Sequence, residues 1–328
     1  MRQSVNIPRA PGLLLLASAL LCGCWVGGIQ VEDTGYTYEW EMNPDGDPIP
    51  FGLWGLNGFH DHDGFETVQD QFGISLFHTS TYSPSYGVGM LLPLVREAGL
   101  RVNLRMAGDH AYYTTAAGDF DLGAWKAMLA PWNGSGVQEY IDDGTIVYHM
   151  LLDDISNFDG ESPSGDDLDE MARFSKSLLP GLKVAVREEA ARVPQPTGGR
   201  FEHLDAALNQ YTTAYGDVED YAFINEEAAG SKGLEIVNGL NIADGGNGSS
   251  EQAGWGENRW AMSADEIVEY GYVLSAVPGC VLFMAWEYDG EEPWSDGSIG
   301  SDYFDRPENT AALEWLGSRL AGEDVDRP

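Results

Sequence analysis

The feature that most constrains this fold is a series of eight short apolar runs, each six to nine residues long and closed by turn residues. They cover Phe51–Gly58, Gly73–Thr79, Leu100–Ala107, Thr145–Asp153, Leu182–Arg187, Ala206–Tyr211, Leu234–Asn241 and Cys280–Glu287. Runs this short and continuously apolar suit parallel strands buried on both faces. Between them the apolar spacing becomes helical. Gly89–Gly99 ends on a glycine stop, and Ser164–Leu179 opens on a serine and several acids and stops at Pro180-Gly181. Ser263–Leu274 opens on a capping box, Ser263 with Glu266, and Arg306–Leu320 supplies a last helix. The alternation predicts a single-domain α/β fold over residues 49–328, a (β/α)8 barrel of the TIM type. Two crossovers are thin: Ala190–Asp205 carries Pro194, Pro196 and Gly198-Gly199 and shows no helix, and the first has room only for a short one near Glu66–Gln71. A doubly wound sheet is the alternative, but no glycine-rich nucleotide fingerprint follows any strand.

In a barrel of this kind the working residues gather where strands end and the following loops begin. Those positions are polar at nearly every strand. The first strand runs into Asn57–Asp63, the second ends at His78-Thr79-Ser80, and the third carries Arg105 and leads to Asp109-His110. The fourth ends at Asp153-Asp154, the fifth at Arg187-Glu188-Glu189, and the sixth at Asn209-Gln210-Tyr211. The seventh carries Asn238 and Asn241, and the eighth ends at Trp286-Glu287-Tyr288-Asp289. Strand alternation sets Asn103 and Arg105 against Val102, Leu104 and Met106, and Arg187 against Val184 and Val186. The same count pairs His149 with Asp153, so Arg105, His149, Asp153 and Arg187 are expected at the barrel mouth. A bulge would exchange Asp153 for Asp154, and both stay candidates.

This set suits glycosidic bond hydrolysis, which needs two carboxyl groups flanking the bond, one protonated and one ionised. Asp153 or Asp154 on the fourth strand and Glu287 on the eighth are the expected catalytic pair. The competing reading is that Asp153-Asp154 merely closes a strand and pairs with Arg105 or Arg187. Trp54, Trp255, Trp260, Trp286 and Trp294 fall at strand ends or in adjoining loops, where flat indole faces suit the C–H faces of sugar rings. The expected substrate-binding set is Trp54, His78, Arg105, Asp109, His110, Arg187, Asn209, Gln210, Tyr211, Asn238, Asn241, Trp286 and Asp289. Fourth-strand carboxylates, the Trp286-Glu287 pair and the loop tryptophans resemble the barrel glycoside hydrolases of bacterial surfaces, across roughly residues 50–320. The likeness is architectural. Asp-Asp stands where many such enzymes carry Asn-Glu, and Asn238 and Asn241 occupy the region where their seventh-strand glutamate lies. It implies a glycosidase acting on a poly- or oligosaccharide without a cofactor; a non-catalytic carbohydrate-binding protein on the same barrel is the rival.

His60-Asp61-His62-Asp63 could also ligate a divalent metal together with His78 or His110, which would make a metal-dependent hydrolase or deacetylase; without a third converging ligand it is a solvated loop. Asp244-Gly-Gly-Asn-Gly-Ser-Ser is no complete calcium loop, and its glycines suit a tight turn or close approach to a ligand. The chain lacks a serine elbow, a Walker loop and a basic patch. Its formal charge of −36, with 53 acidic residues against 17 basic, repels nucleic acid and other anionic polymers.

The N-terminus reads as an export signal. Arg2 and Arg9 precede the apolar run Leu13–Leu21, which is too short to span a bilayer. Leu21-Cys22-Gly23-Cys24 resembles the bacterial lipobox, with the small Gly23 before Cys24. The resemblance implies a signal peptide over 1–23, lipid attachment at Cys24, a Gly- and acid-rich tether over 24–48, and an exported protein held on the membrane by its lipid. Beyond that segment only Cys280 remains, so no internal disulfide is available and the core must hold the fold.

Overall fold

The computed structural model describes residues 48–55, 68–288, 297–298 and 300–327. Eight parallel strands close on themselves in sequence order. They are β1 (Phe51–Trp54), β2 (Leu76–Ser80), β3 (Arg101–Arg105), β4 (Ile146–Asp153), β5 (Lys183–Arg187), β6 (Ala206–Tyr211), β7 (Glu235–Asn241) and β8 (Cys280–Trp286). The predicted (β/α)8 barrel is the fold, and each strand falls on the apolar run that foretold it, β2 extending one residue past its run to Ser80.

The helices follow their local chemistry. Gly165–Leu178 and Ala264–Ser275 each start with a reciprocal capping box, Ser164 with Asp167 and Ser263 with Glu266. Pro307–Leu320 takes its proline at the first turn, where no amide hydrogen is needed. A helix also covers residues 68–72, and the β5–β6 crossover is irregular, as its prolines and glycines predict. Sequence periodicity passes over Val218–Lys232, the helix between β6 and β7. Its buried side includes Asp220, Asn225 and Lys232, so no clean apolar stripe marks it. Asp217 caps its start, and Gly233 ends it in the left-handed conformation that lacks a steric penalty only for glycine.

Two apolar layers result. Outward-facing residues such as Leu53, Val102, Leu104, Val184, Val186, Ala207 and Leu240 pack against the helices. Inward-facing Leu76, Met150, Ala185, Leu208, Val237, Leu282 and Met284 fill the barrel. Where the strands begin, Tyr148 and Lys183 close the interior by meeting the Glu235 carboxylate at 2.7 and 2.9 Å. At the opposite end the interior opens into the site.

β4 departs from simple alternation. Tyr148 and Met150 face inward, but Leu151 and Leu152 both join the outer layer, and the pairing with β5 shifts between Met150 and Asp153. In that interval the Leu151 carbonyl accepts a hydrogen bond from the Trp125 indole at 3.2 Å. This irregularity corrects the placement of His149. The imidazole lies outside the barrel, stacked on Trp125 with ring centres 6.0 Å apart, because counting back from Asp153 by twos crosses the bulge. Asp153 itself arrives at the mouth as expected.

Candidate active site

At the C-terminal end of the strands a cavity of about 920 Å³ opens over the barrel axis. Trp54 of β1, Arg105 of β3, Asp153 of β4, Arg187 of β5, Gln210 of β6, Asn241 of β7 and Trp286 of β8 line it, with Asp109, Asp154 and Glu287 from the loops beyond. A second lobe of about 1060 Å³ continues across the β4–β7 loops and adds Glu188, Glu189, Arg192, Glu257 and Arg259. The lobes share Asp154, Arg187, Gln210, Asn241, Asp244 and Trp255, so they form one groove.

The floor is an ion-paired lattice. Asp153 receives Arg105 at 3.2 Å on one oxygen and Arg187 on the other. Arg187 also pairs with Asp154 and donates to the Gln210 side-chain oxygen at 2.6 Å, and Arg105 reaches Asp109 and the Ser80 hydroxyl. Burial would raise the Asp153 carboxyl, but Arg187 and Arg105 outweigh it and hold Asp153 below the usual carboxylate range. Asp154 behaves oppositely. Burial, reinforced by the charges of Asp153 and Glu189, pushes its carboxyl up in spite of Arg187. Its backbone sits at φ 56°, a left-handed conformation that an aspartate tolerates better than most residues, and this turns the chain out of the strand. Glu287 follows β8 and lines the same cavity.

Two acidic groups emerge that strand-end counting left undistinguished. Glu188 and Glu189 are buried side by side under the second lobe, tied by Arg192 at 3.4 and 3.0 Å and by the Tyr215 hydroxyl at 2.9 Å. Burial and the adjacent Glu189 push the Glu188 carboxyl up to about 8, so the pair holds a proton at neutral pH. Asp244, whose carboxyl burial also raises, accepts the Gly256 amide at 2.8 Å and thereby anchors the turn carrying Trp255. Trp255 meets Trp286 edge to face, ring centres 6.0 Å apart, and remains 42% exposed in the groove. The glycines of the Asp244 loop serve close backbone approach: a Cβ on Gly246 would come within 2.2 Å of the Ala261 carbonyl oxygen.

Five of the expected binding residues lie elsewhere. His78 points into the barrel but is buried beneath Trp54, the two rings stacked 3.4 Å apart, and burial and Arg105 keep its imidazole neutral. His110 stacks on Phe158 at 4.8 Å within an aromatic loop cluster. Asn209, Tyr211 and Asn238 face the helices. Asn209 accepts the Ala190 amide at 2.7 Å, Tyr211 donates to the Gly216 carbonyl at 2.7 Å, and Asn238 donates to the Leu274 carbonyl at 2.8 Å. Among the described residues no group of three histidine, cysteine or acidic side chains is placed to hold a metal. Asp289, Trp294, the His60–Asp63 run and Cys24 lie outside the described residues.

Fold and mouth together define a (β/α)8 barrel with a polar, tryptophan-lined groove. No protein-family model matches the sequence, and no curated protein sequence matches it. Solved structures do match. One is from a study of two fungal beta-1,4-galactanases, with a TM-score of 0.56 at 13% identity over 82% of this chain and 99% of that one. A beta-glucuronidase from an uncultured Clostridium sp. matches with a TM-score of 0.56 at 12% identity over 82% of this chain and 50% of that one. The beta-galactosidase of the psychrophilic Marinomonas ef1 gives 0.55 at 8% identity, over 84% and 61%. At such identities the likeness is one of fold: this chain shares the barrel on which these glycosidases are built.

Proposed function

We propose that the chain hydrolyses a glycosidic bond in a poly- or oligosaccharide, with Asp154 as the acid and Glu287 as the base or nucleophile. One observation carries the reading. β4 and β8 stand four strands apart in an eight-strand ring, so Asp154 and Glu287 rise from opposite walls of one cavity and flank whatever crosses it. Asp154, raised by burial, is suited to deliver a proton to the glycosidic oxygen as the bond breaks. The Glu287 carboxylate on the far wall then attacks the anomeric carbon or takes a proton from the attacking water. Asp153, held ionised, is a positioning residue that fixes the two arginines. Trp54, Trp255 and Trp286 offer faces for sugar rings, and Gln210 and Asn241 offer hydrogen bonds to hydroxyls.

The test is activity on a panel of polysaccharides, with circular dichroism to verify folding. Glu287→Gln and Asp154→Asn should each cut turnover by about a thousandfold or more while leaving the fold intact. Activity that stays within a factor of a few in both folded variants removes the assignment. The ion pairing of Asp153 and Asp154 favours one rival, a carbohydrate-binding protein without catalysis. A parent protein that binds a glycan from the panel and cleaves none of them establishes that rival.

A further inference from the structure

The mouth carries an aromatic pair that the catalytic reading leaves unused. Tyr82 follows β2 and lines the groove, and Tyr112 follows β3 in the short turn His110–Tyr112. Their ring centres lie 5.1 Å apart, yet the two residues stay 52% and 45% exposed. Single exposed aromatics are ordinary, but two packed together on the rim of a cavity form a patch that suits a ligand. The loops beneath are tied down. The Tyr113 hydroxyl donates to the Gly108 carbonyl at 3.3 Å, and the Thr81 amide donates to the Arg105 carbonyl at 2.9 Å. Gly108, at φ 75°, lets the pair close over it, since a Cβ there would come 3.0 Å from the Tyr112 ring and 3.3 Å from the Tyr82 Cβ. A platform held in this way loses little freedom when a ring settles on it.

The order of the strands places this pair. β3 stands opposite β7 in the ring, and Trp255 rises from the loop after β7. Around the mouth the sequence is therefore aromatic pair, Asp154, Trp255, Glu287. The line from the pair to Trp255 crosses the line from Asp154 to Glu287. We propose that Tyr82 and Tyr112 form a sugar-ring platform, matched across the mouth by Trp255, which makes the site select a glycan chain with sugars bound on both sides of the bond to be cut. The proposal rests on the carbohydrate reading above and adds the length requirement of that site. A chain stretched between the two platforms passes between the carboxylates. One ring lies on Tyr82, beside Thr81 and Asp109 of the same wall, and another lies on Trp255. The second lobe continues past Trp255 and has room for further sugars on that side. A substrate of one or two sugars at the scissile position would leave the tyrosine pair uncovered.

The experiment measures, by calorimetry in the Glu287→Gln background, how binding grows from the dimer to the hexamer of cellulose, xylan, galactan and chitin chains. For the glycan that binds, the hexamer should bind about thirtyfold tighter than the dimer or better. Tyr82→Ala combined with Tyr112→Ala should cut that gain about tenfold. Tyr82→Phe combined with Tyr112→Phe keeps the ring faces and should restore the gain. Tyr272→Ala removes an aromatic side chain of similar exposure from the outer helix Ala264–Ser275 and should leave the gain unchanged. A hexamer that binds no tighter than the dimer overturns the proposal, as does a gain that survives the double alanine variant. Phenylalanine variants as weak as the alanine ones overturn it too, since the hydroxyls and not the faces would then hold the sugar. Activity on the polysaccharide panel without a length-dependent gain removes the platform alone. Chains that bind at neither length, together with no activity on the panel, remove the carbohydrate reading itself and this inference with it.

Discussion

Arg187 sets the electrostatics of the groove floor, since one guanidinium answers Asp153, Asp154 and the Gln210 oxygen at once. Its removal would leave two half-buried carboxylates facing each other, so Arg187→Ala should destabilise the fold by about 3 kcal/mol or more, measured by urea unfolding. One residue further on, Glu188 makes a separate and signed prediction. A folded-state carboxyl raised to about 8 contributes stability that is complete below the unfolded glutamate range, near 4.3, and is lost as pH rises through 8. Glu188→Gln should therefore leave the melting temperature at pH 4.5 nearly unchanged and stabilise the protein at pH 8 by ~1–3 kcal/mol. A variant less stable than the parent at pH 8 would show that Glu188 is ionised in the folded protein. Sequence reasoning reached Arg187, Asp153 and Asp154 because each ends an unambiguous strand. It singled out neither Glu188 nor Asp244, because what sets them apart is burial beside Glu189 and an amide twelve residues downstream.

Among the elements, the strands were readable from apolar runs alone, whereas inward and outward faces required a parity that some runs do not declare. Asn209, Gln210 and Tyr211 are consecutive, so they cannot all face the groove; only Gln210 does, and its neighbours serve the helix layer. Asn238 and Asn241 divide for the same reason, three residues apart on one strand. Asn209→Ala should accordingly leave the buried Ala190 amide unpaired and cost about 1–3 kcal/mol in denaturant unfolding, with KM unchanged. A raised KM at full stability would return Asn209 to the binding set. The Val218–Lys232 helix escaped notice because Lys232 turns inward to the Ala190 and Val193 carbonyls, each at 2.6 Å, polar contacts that no hydrophobic pattern reveals.

At the scale of the whole molecule, a formal charge of −36 on a chain with only four lysines makes self-repulsion a general term in stability. In molar salt that repulsion is screened within about 3 Å, and the melting temperature should hold or rise between 0.05 and 1 M sodium chloride. A steady fall would mean that specific ion pairs such as those of Arg187 outweigh the diffuse repulsion. For the N-terminal segment we propose a role in export and in lipid attachment at Cys24. Cys24→Ser should move the protein from the membrane to the soluble fraction, and identical partitioning of mutant and parent removes the proposal.

The bulge in β4 has a consequence for how such a site can change. Leu151 and Leu152 face the same way, so the strand beyond them is one step out of phase with the strand before. Deleting either residue would restore strict alternation and still leave Asp153 facing its arginines, because the bulge holds one residue more than alternation needs. What would turn Asp153 outward is loss of the bulge at unchanged length: regular pairing through Leu151 and Leu152 would bring Asp154 to the mouth in its place. A change in the local pairing of one strand is thus a route by which a barrel could exchange one carboxylate for its neighbour without touching either of them.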